Sequence, residues 1–449
     1  MELIRRFLQR MQIDRPLAYA LLSRVWQAAA GPITIALLVH FMAEDVRGIY
    51  YGLVSIVGIQ AFFELGLLNV LISHGGHEAA AIKLSDEDTG ADTAVSQPVA
   101  RMKELIRASR RWFGVASILF TAIALGLGWY TFLRANVAVN WQLPLLVLIP
   151  SAAITVFLSP SLAIMEGAGF RDVIYRCRCF QMITGSIGVW LALLAGWNLW
   201  ALVVSTLIQA AWTLYIVMVH GSPFFRRFSN VTEKPADYSW ARDVVPAQWR
   251  MAAIGAAYHL ATQFFTVVVL WFHSATEAGQ FGMTLSMTTA IQMLALSWVQ
   301  TKYSVVALHH GSGEREMAGT LWRQTALVST CLLITALTAL IVLIAALPLL
   351  GRGYESAFIT PAQLCILSVG CVANHLLATQ GFYVLSRRAN PLTISSVTGF
   401  LITAAAVWIA GFYYSTTGVA CAYTATTALI TLPLHTAEYL RFRSRTSTT

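Results

Sequence analysis

The chain has 449 residues, of which 57% are hydrophobic and only 11% charged, with a formal net charge of +9 and a mean hydropathy of +0.64. An ordinary soluble domain carries about 25% charged residues, so the composition excludes a soluble protein and describes a polytopic membrane protein. The six cysteines lie mostly inside predicted helices, none in a predicted outer loop, which excludes a disulfide framework.

Residues 1–11 (MELIRRFLQRM) place Leu3, Ile4, Phe7, Leu8 and Met11 opposite Arg5, Arg6 and Arg10 at helical spacing. That pattern predicts an amphipathic helix on the membrane surface rather than a cleavable leader. Twelve apolar segments long enough to span follow, at about 18–42, 48–73, 111–133, 143–165, 180–196, 198–219, 246–272, 280–301, 322–347, 360–383, 392–412 and 415–437. At about 1.5 Å per residue the second reaches roughly 39 Å, enough to cross a hydrocarbon core of about 30 Å with some tilt. Twenty-five of the 30 lysines and arginines fall in segments on one side, and only Arg47, Arg134 and Arg352 in loops on the other. This bias sets both termini inside, and it accounts for the basic charge without a nucleic-acid partner.

Two inner loops are long. Residues 74–110 include loop-forming LSDEDTGADT at 84–93 and lead into a short basic helix, Val99–Arg111, suited to anionic headgroups. Residues 220–245, with Pro223 and Pro235 inside and Pro246 just after, fall at the midpoint and read as a linker. The expected organisation is therefore a first lobe at 1–219, the linker at 220–245, a second lobe at 246–438 and a cytoplasmic tail at 439–449. A weak internal echo supports the division: Arg24-Val25-Trp26 and Trp249-Arg250 open spans one and seven, and Ile59-Gln60 and Ile291-Gln292 recur in the helices that follow. The expected fold class is all-α, twelve transmembrane helices in two six-helix lobes around a central cavity.

Within the spans, ionisable and amide groups are costly in lipid and mark candidate sites. Glu64 is the single ionisable side chain of span two, with Gln60 one turn earlier on the same side. In span one, Arg24, Gln27, Gly31 and Thr34 share a face, and Gly31-Pro32 permits a kink. Arg24 either pairs with Glu64 in the bundle or snorkels to the inner headgroups, and the same choice stands for Arg250 in span seven. His259 and His375 lie mid-span, as packing groups or as proton carriers. Gln292 in span eight and Asn374 in span ten sit among hydroxyls suited either to sugar hydroxyls or to helix–helix contacts. The candidate binding set is thus Arg24, Gln27, Gln60, Glu64, Arg250, His259, Gln292, Asn374 and His375, with Glu64, His259 and His375 as ion-coupling candidates. Cationic groups toward the cytoplasm and neutral donors deeper in suit a substrate with an anionic head and a polar body, the shape of a lipid-linked oligosaccharide.

No phosphate loop G-x-x-x-x-G-K-[ST] and no His-Glu-x-x-His helix occurs, and Cys177-x-Cys179 lacks a completing ligand. No cofactor, metal or enzymatic activity is expected.

Gly48-Ile-Tyr50 opening the second helix and Glu64-Leu65-Gly66-Leu67 closing it resemble the polysaccharide and O-antigen flippases (Wzx-type) of the multidrug/oligosaccharidyl-lipid/polysaccharide exporter superfamily. Met165-Glu166-Gly167, Ala278-Gly279-Gln280-Phe281 and Gly351–Ala357 add to the likeness; an Asp-x-Gly is more usual in the family where Glu64-Leu65-Gly66 stands here. The resemblance implies two lobes and alternating access. It also implies export of an undecaprenyl-pyrophosphate-linked repeat unit across the bacterial inner membrane, with membrane lipids, a polysaccharide polymerase and a chain-length regulator as partners. The competing readings are a cation-coupled drug antiporter, a lipid II flippase, and a membrane polymerase or ligase. The last two fit less well: the length leaves no room for two extra helices, and the outer loops are short.

Overall fold

The computed structural model describes residues 15–64, 66–88, 92–135, 139–229, 245–311, 314–350, 354–387 and 391–445. The expected surface helix at 1–11 and most of the expected linker lie outside the described residues. All regular structure among the described residues is helical. Ten stretches are long and apolar enough to cross a membrane, and the last, Thr393–Ser444, is broken at Tyr414–Ser415 into two spans. Adding α12 (Ala275–Gly311) gives the twelve predicted helices; its threonines, serines and glutamines leave it less apolar than the rest.

By contacts the chain forms two compact units. Unit 1 gathers α1 (Arg15–Phe41), the chain from Ile59 to Trp129 and that from Asn140 to Ala252; unit 2 gathers Met42–Gly58, Tyr130–Val139 and the chain from Ala253 onward. Span two therefore contributes to both. The structure does not keep it as the single predicted rod: α2 (Glu44–Gly58) ends at Gly58, α3 (Gln60–Glu64) is one short turn, and α4 (Leu67–Asp88) follows Gly66 at φ 68°. The reason for the first break is tertiary. A Cβ at Gly58 would collide with the Gln263 amide, and Gln263 itself lies in the gap between α10 (Val245–Thr262) and α11 (Phe265–Phe272). Two helix breaks meet there.

The outer end of α2 packs on α12 at backbone distance. A side chain at Gly48 would strike the Ala275 carbonyl, and a Cβ at Gly279 would stand 2.9 Å from the Gly48 nitrogen. Small residues allow helices to approach this closely. Around the seam, Ser356 donates to Glu44 Oε1 at 2.6 Å and the Gln280 amide donates to the Ser356 carbonyl at 2.9 Å. The end of α5 (Asp92–Arg134) joins unit 2 because Trp271 donates to the buried Thr131 at 2.9 Å. That helix also absorbs the predicted basic helix and the third span into one rod of 43 residues, since only Pro98, near its start, breaks the helical pattern.

In unit 1, α4 crosses α6 (Gln142–Gly167) through glycines, a Cβ at Gly167 standing 2.8 Å from the Gly76 nitrogen. α1, which runs unbroken through Pro32, is pinned to α7 (Arg171–Leu194) by two indoles. Trp190 donates to Thr34 at 2.9 Å and Trp26 to Ser186 at 3.2 Å.

The sixth and twelfth spans share a defect. α8 (Trp200–Tyr215) continues into a π turn, Ile216–Gly221, before α9 (Ser222–Arg227); α15 (Thr393–Thr426) continues into a π turn, Thr427–Thr431, before α16 (Leu432–Arg445). Pro223 and Pro433 follow each turn at the same offset. Proline has no N–H to offer the carbonyl four residues back, and its ring crowds that carbonyl. In both places the affected residue, Val219 or Leu429, lies inside the wide turn.

Gly48→Ala is expected to lower stability by about 1–3 kcal/mol, because the added methyl has nowhere to go. Gly255→Ala, at a position with nothing within 4 Å of a Cβ, should be silent or slightly stabilising. Thermal unfolding of both variants in detergent checks the contrast.

Candidate functional site

The polar groups inside the spans fall into three sets, each within a single unit. The first sits at the inner end of unit 1. α6 stops at Gly167, and a turn through Gly169 at φ 101° sends the chain back as α7. The reversal sets Glu166 opposite α7, where Tyr175 donates to Glu166 Oε1 at 2.9 Å and Arg178 Nη1 lies 3.5 Å from Glu166 Oε2. Glu166 is 8% exposed, so its charge depends on these partners. Arg178 is also the cation that acts on Glu64, half-buried on α3. Arg178 is ion-paired with Glu166 and lies within electrostatic reach of Glu64.

Arg178 therefore holds the place the sequence offered to Arg24. No Arg24–Glu64 ion pair occurs among the described residues. Arg24 and Gln27 are exposed on α1, and Gln60 is half-buried with Glu64 on α3. Arg250 is exposed near the start of α10, its guanidinium 5.6 Å from the ring of its neighbour Trp249. Neither α1 nor α10 carries an aspartate or glutamate. The two arginines therefore stand on helices that supply no internal counter-charge.

The second set is threaded through unit 2 around α14 (Pro361–Ser386). Asn374 is buried and hydrogen-bonded to Tyr258 of α10, next to half-buried His259. His375, one residue on, is fully buried and turned to α13 (Arg315–Ala346), its Nε2 2.9 Å from the Ser329 hydroxyl. Ser329 in turn donates to the Ala295 carbonyl of α12 at 2.6 Å. The serine proton is thereby committed to the carbonyl, which leaves the imidazole donating from Nε2. Further along α14, Gln380 Oε1 lies 2.8 Å from His435 Nδ1, and the Gln380 amide donates to Thr436 at 2.9 Å. Gln292 is half-buried on α12. Thus Asn374, His375 and Gln380 tie α14 to α10, α13 and α16 in turn, and His259 and His375 are not brought together.

The third set is the ring of hydroxyls and carboxylates at the outer ends of unit 2. Glu277 accepts from Ser415, whose φ of 52° is the left-handed conformation that splits α15, and Gln363 donates to Thr416 and Thr417 at 3.0 and 2.8 Å. These bonds hold the tenth, eleventh and twelfth spans to the start of α12.

No family model matches the chain, and no curated protein does. Solved structures do. The chain is similar to a multidrug resistance MATE family transporter of the MOP superfamily in an inward-facing conformation. There the TM-score is 0.60 at 14% identity, over 93% of this chain and 99% of that one. It is similar to the lipid II flippase MurJ in an inward closed conformation, with TM-score 0.59 at 12% identity over 95% and 89%. It is similar also to the MATE multidrug transporter DinF-BH in complex with R6G, with TM-score 0.58 at 12% identity over 96% and 95%.

The chain has the fold of the MOP superfamily transporters. The structures it resembles are transporters and flippases, not enzymes.

Sequence reasoning missed Glu166, Tyr175 and Arg178 as one cluster, because Arg178 was counted with the inner-loop cations. The signal was present: a glycine-rich reversal centred near residue 170 sets 166 against 175 and its neighbours on the returning helix. A double-mutant cycle of Glu166→Gln and Arg178→Gln, read by thermal unfolding in detergent, should show a coupling of about 1 kcal/mol, modest because Arg178 is 42% exposed. Strictly additive losses would mean that the pair is incidental.

Proposed function

We propose that the chain moves an undecaprenyl-pyrophosphate-linked oligosaccharide, an O-antigen or exopolysaccharide repeat unit, from the inner to the outer face of a bacterial inner membrane. It does so by alternating access of its two lobes. The observation that carries this reading is the pair Arg24 and Arg250, exposed on the first helix of each half of the sequence. A pyrophosphate is a divalent or trivalent anion with several acceptor oxygens, and a guanidinium offers it paired, charge-assisted hydrogen bonds. A cationic drug meets like charge at the same place. MurJ, whose fold the chain shares, is a flippase for lipid II, and this supports a lipid-linked substrate.

Exposed Gln27, with half-buried Gln60 and Gln292, supplies neutral hydrogen-bonding groups for sugar hydroxyls. Asn374 and His375 are engaged between helices of unit 2, so their contribution is to keep α14 in register. Glu64, half-buried on α3 within electrostatic reach of Arg178, is the coupling carboxylate. A polysaccharide polymerase and a chain-length regulator would act on the delivered unit.

The test is complementation of a glycan-export mutant, scoring the lipid-linked unit by leaflet. Arg24→Gln with Arg250→Gln is expected to leave normal protein levels, to cut export at least tenfold, and to let the unit accumulate on the inner leaflet. Export unchanged in the double variant would remove the head-group role. Loss of cationic-dye efflux with glycan export intact would transfer the assignment to a drug antiporter.

A further inference from the structure

We propose that unit 1 holds a binding site for an anionic phospholipid of the inner leaflet, separate from the transport path. A cavity of about 520 Å³ lies between α4, α5, the turn at 168–170 and α9. Every one of these segments is an inner end by the distribution of lysine and arginine, so the cavity stands at the level of the inner headgroups. Its wall is apolar, with Ile82, Met102, Phe170, Phe224 and Phe228, and among the described residues its charged lining residue is Arg227, exposed at the rim. Behind it Phe170 and Phe224 pack on the buried cluster of Met165, Ile174 and Ile216.

The chemistry selects the occupant. An apolar wall asks for hydrocarbon, and the rim asks for an anion. Glu78, beside lining residue Ala79 on α4, is 3.9 Å from Arg101 and so is directed to a different cation. Arg101, Lys103, Arg107, Arg110 and Arg111 make the adjoining stretch of α5 basic, and Arg110 lies 4.7 Å above the Phe225 ring next to the cavity wall. Such clusters concentrate anionic lipid at the inner surface. Free phosphate would answer Arg227 and leave the wall wet. A zwitterionic lipid would fill the wall and answer the cation poorly. The basic first residues of the chain, with Arg5, Arg6 and Arg10, carry the same sign as Arg227. Phosphatidylglycerol combines an acyl chain of suitable length with a single phosphate charge.

Native mass spectrometry of the full-length protein, delipidated in detergent and offered equal phosphatidylglycerol and phosphatidylcholine, tests the site. Wild type should retain one phosphatidylglycerol in roughly fivefold preference. Arg227→Gln should abolish the preference while Arg227→Lys keeps most of it, and Ala79→Phe, which fills the cavity with the charge intact, should cut retention of both lipids. Arg441→Gln, an inner arginine on α16, should change nothing. Equal retention of the two lipids by wild type, or a preference indifferent to Arg227→Gln and Ala79→Phe, would overturn the assignment. So would displacement of phosphatidylglycerol by an equal concentration of undecaprenyl phosphate.

Discussion

The contact on which the architecture depends is made by an absent side chain. Because Gly48 has no Cβ, the Ala275 carbonyl reaches the α2 backbone, and Gly279 and Gly282 extend the approach against Gly48 and Tyr51. This seam draws the outer half of span two into unit 2, while the chain after Gly58 belongs to unit 1. The break at Gly58–Ile59 follows, since one straight helix could not serve both. Within the seam Arg47 is only 5% exposed, with Glu44 at 3.5 Å, and its Nε and Nη1 have no hydrogen-bond partner among the described residues. A buried cation so poorly answered subtracts from the stability that glycine packing provides.

A second theme is the division of labour among polar groups inside the membrane. Most are engaged between helices: His375 through Ser329, Asn374 through Tyr258, Gln380 through His435 and Thr436, Glu166 through Tyr175 and Arg178. In lipid there is little hydrophobic force between helices, so such bonds and close small-residue packing supply the cohesion. Arg24, Gln27 and Arg250 are exposed on their helices. The likeness to solved MOP transporters lies in fold, at 12–14% identity.

Much of the fold was legible in the sequence, because hydropathy and the placement of arginine and lysine report directly on the bilayer. The order of apolar spans was legible, including α12, whose hydroxyls weaken its apolar signal, but the second span is broken at Gly58 and Gly66 and the third runs on from the basic helix. The breaks were legible unevenly. Pro223 and Pro433 announce the two π turns by a local rule, and Gly66 announces a left-handed turn. The break at Gly58 has no such signature, since it comes from Gln263, some two hundred residues away. The candidate site shows the same limit. Glu64 and its neighbour Gln60 could be read from one helix, but their cation could not: Arg178 competes with Arg24 only once α3, α6 and α7 are brought together. Exposure of Arg24 and Arg250 was likewise undecidable from spacing, which serves a snorkelling arginine and a binding one equally.

The glycine seam is internal to unit 2, so fixing it covalently leaves transport free to proceed. With the native cysteines replaced, Glu44→Cys and Ser356→Cys place thiols on the two residues whose side chains now meet at 2.6 Å. Bridging them with a reducible bifunctional thiol reagent should leave glycan export unchanged in cells and in proteoliposomes. Export lost on bridging and restored by reductant would contradict a seam that holds unit 2 together.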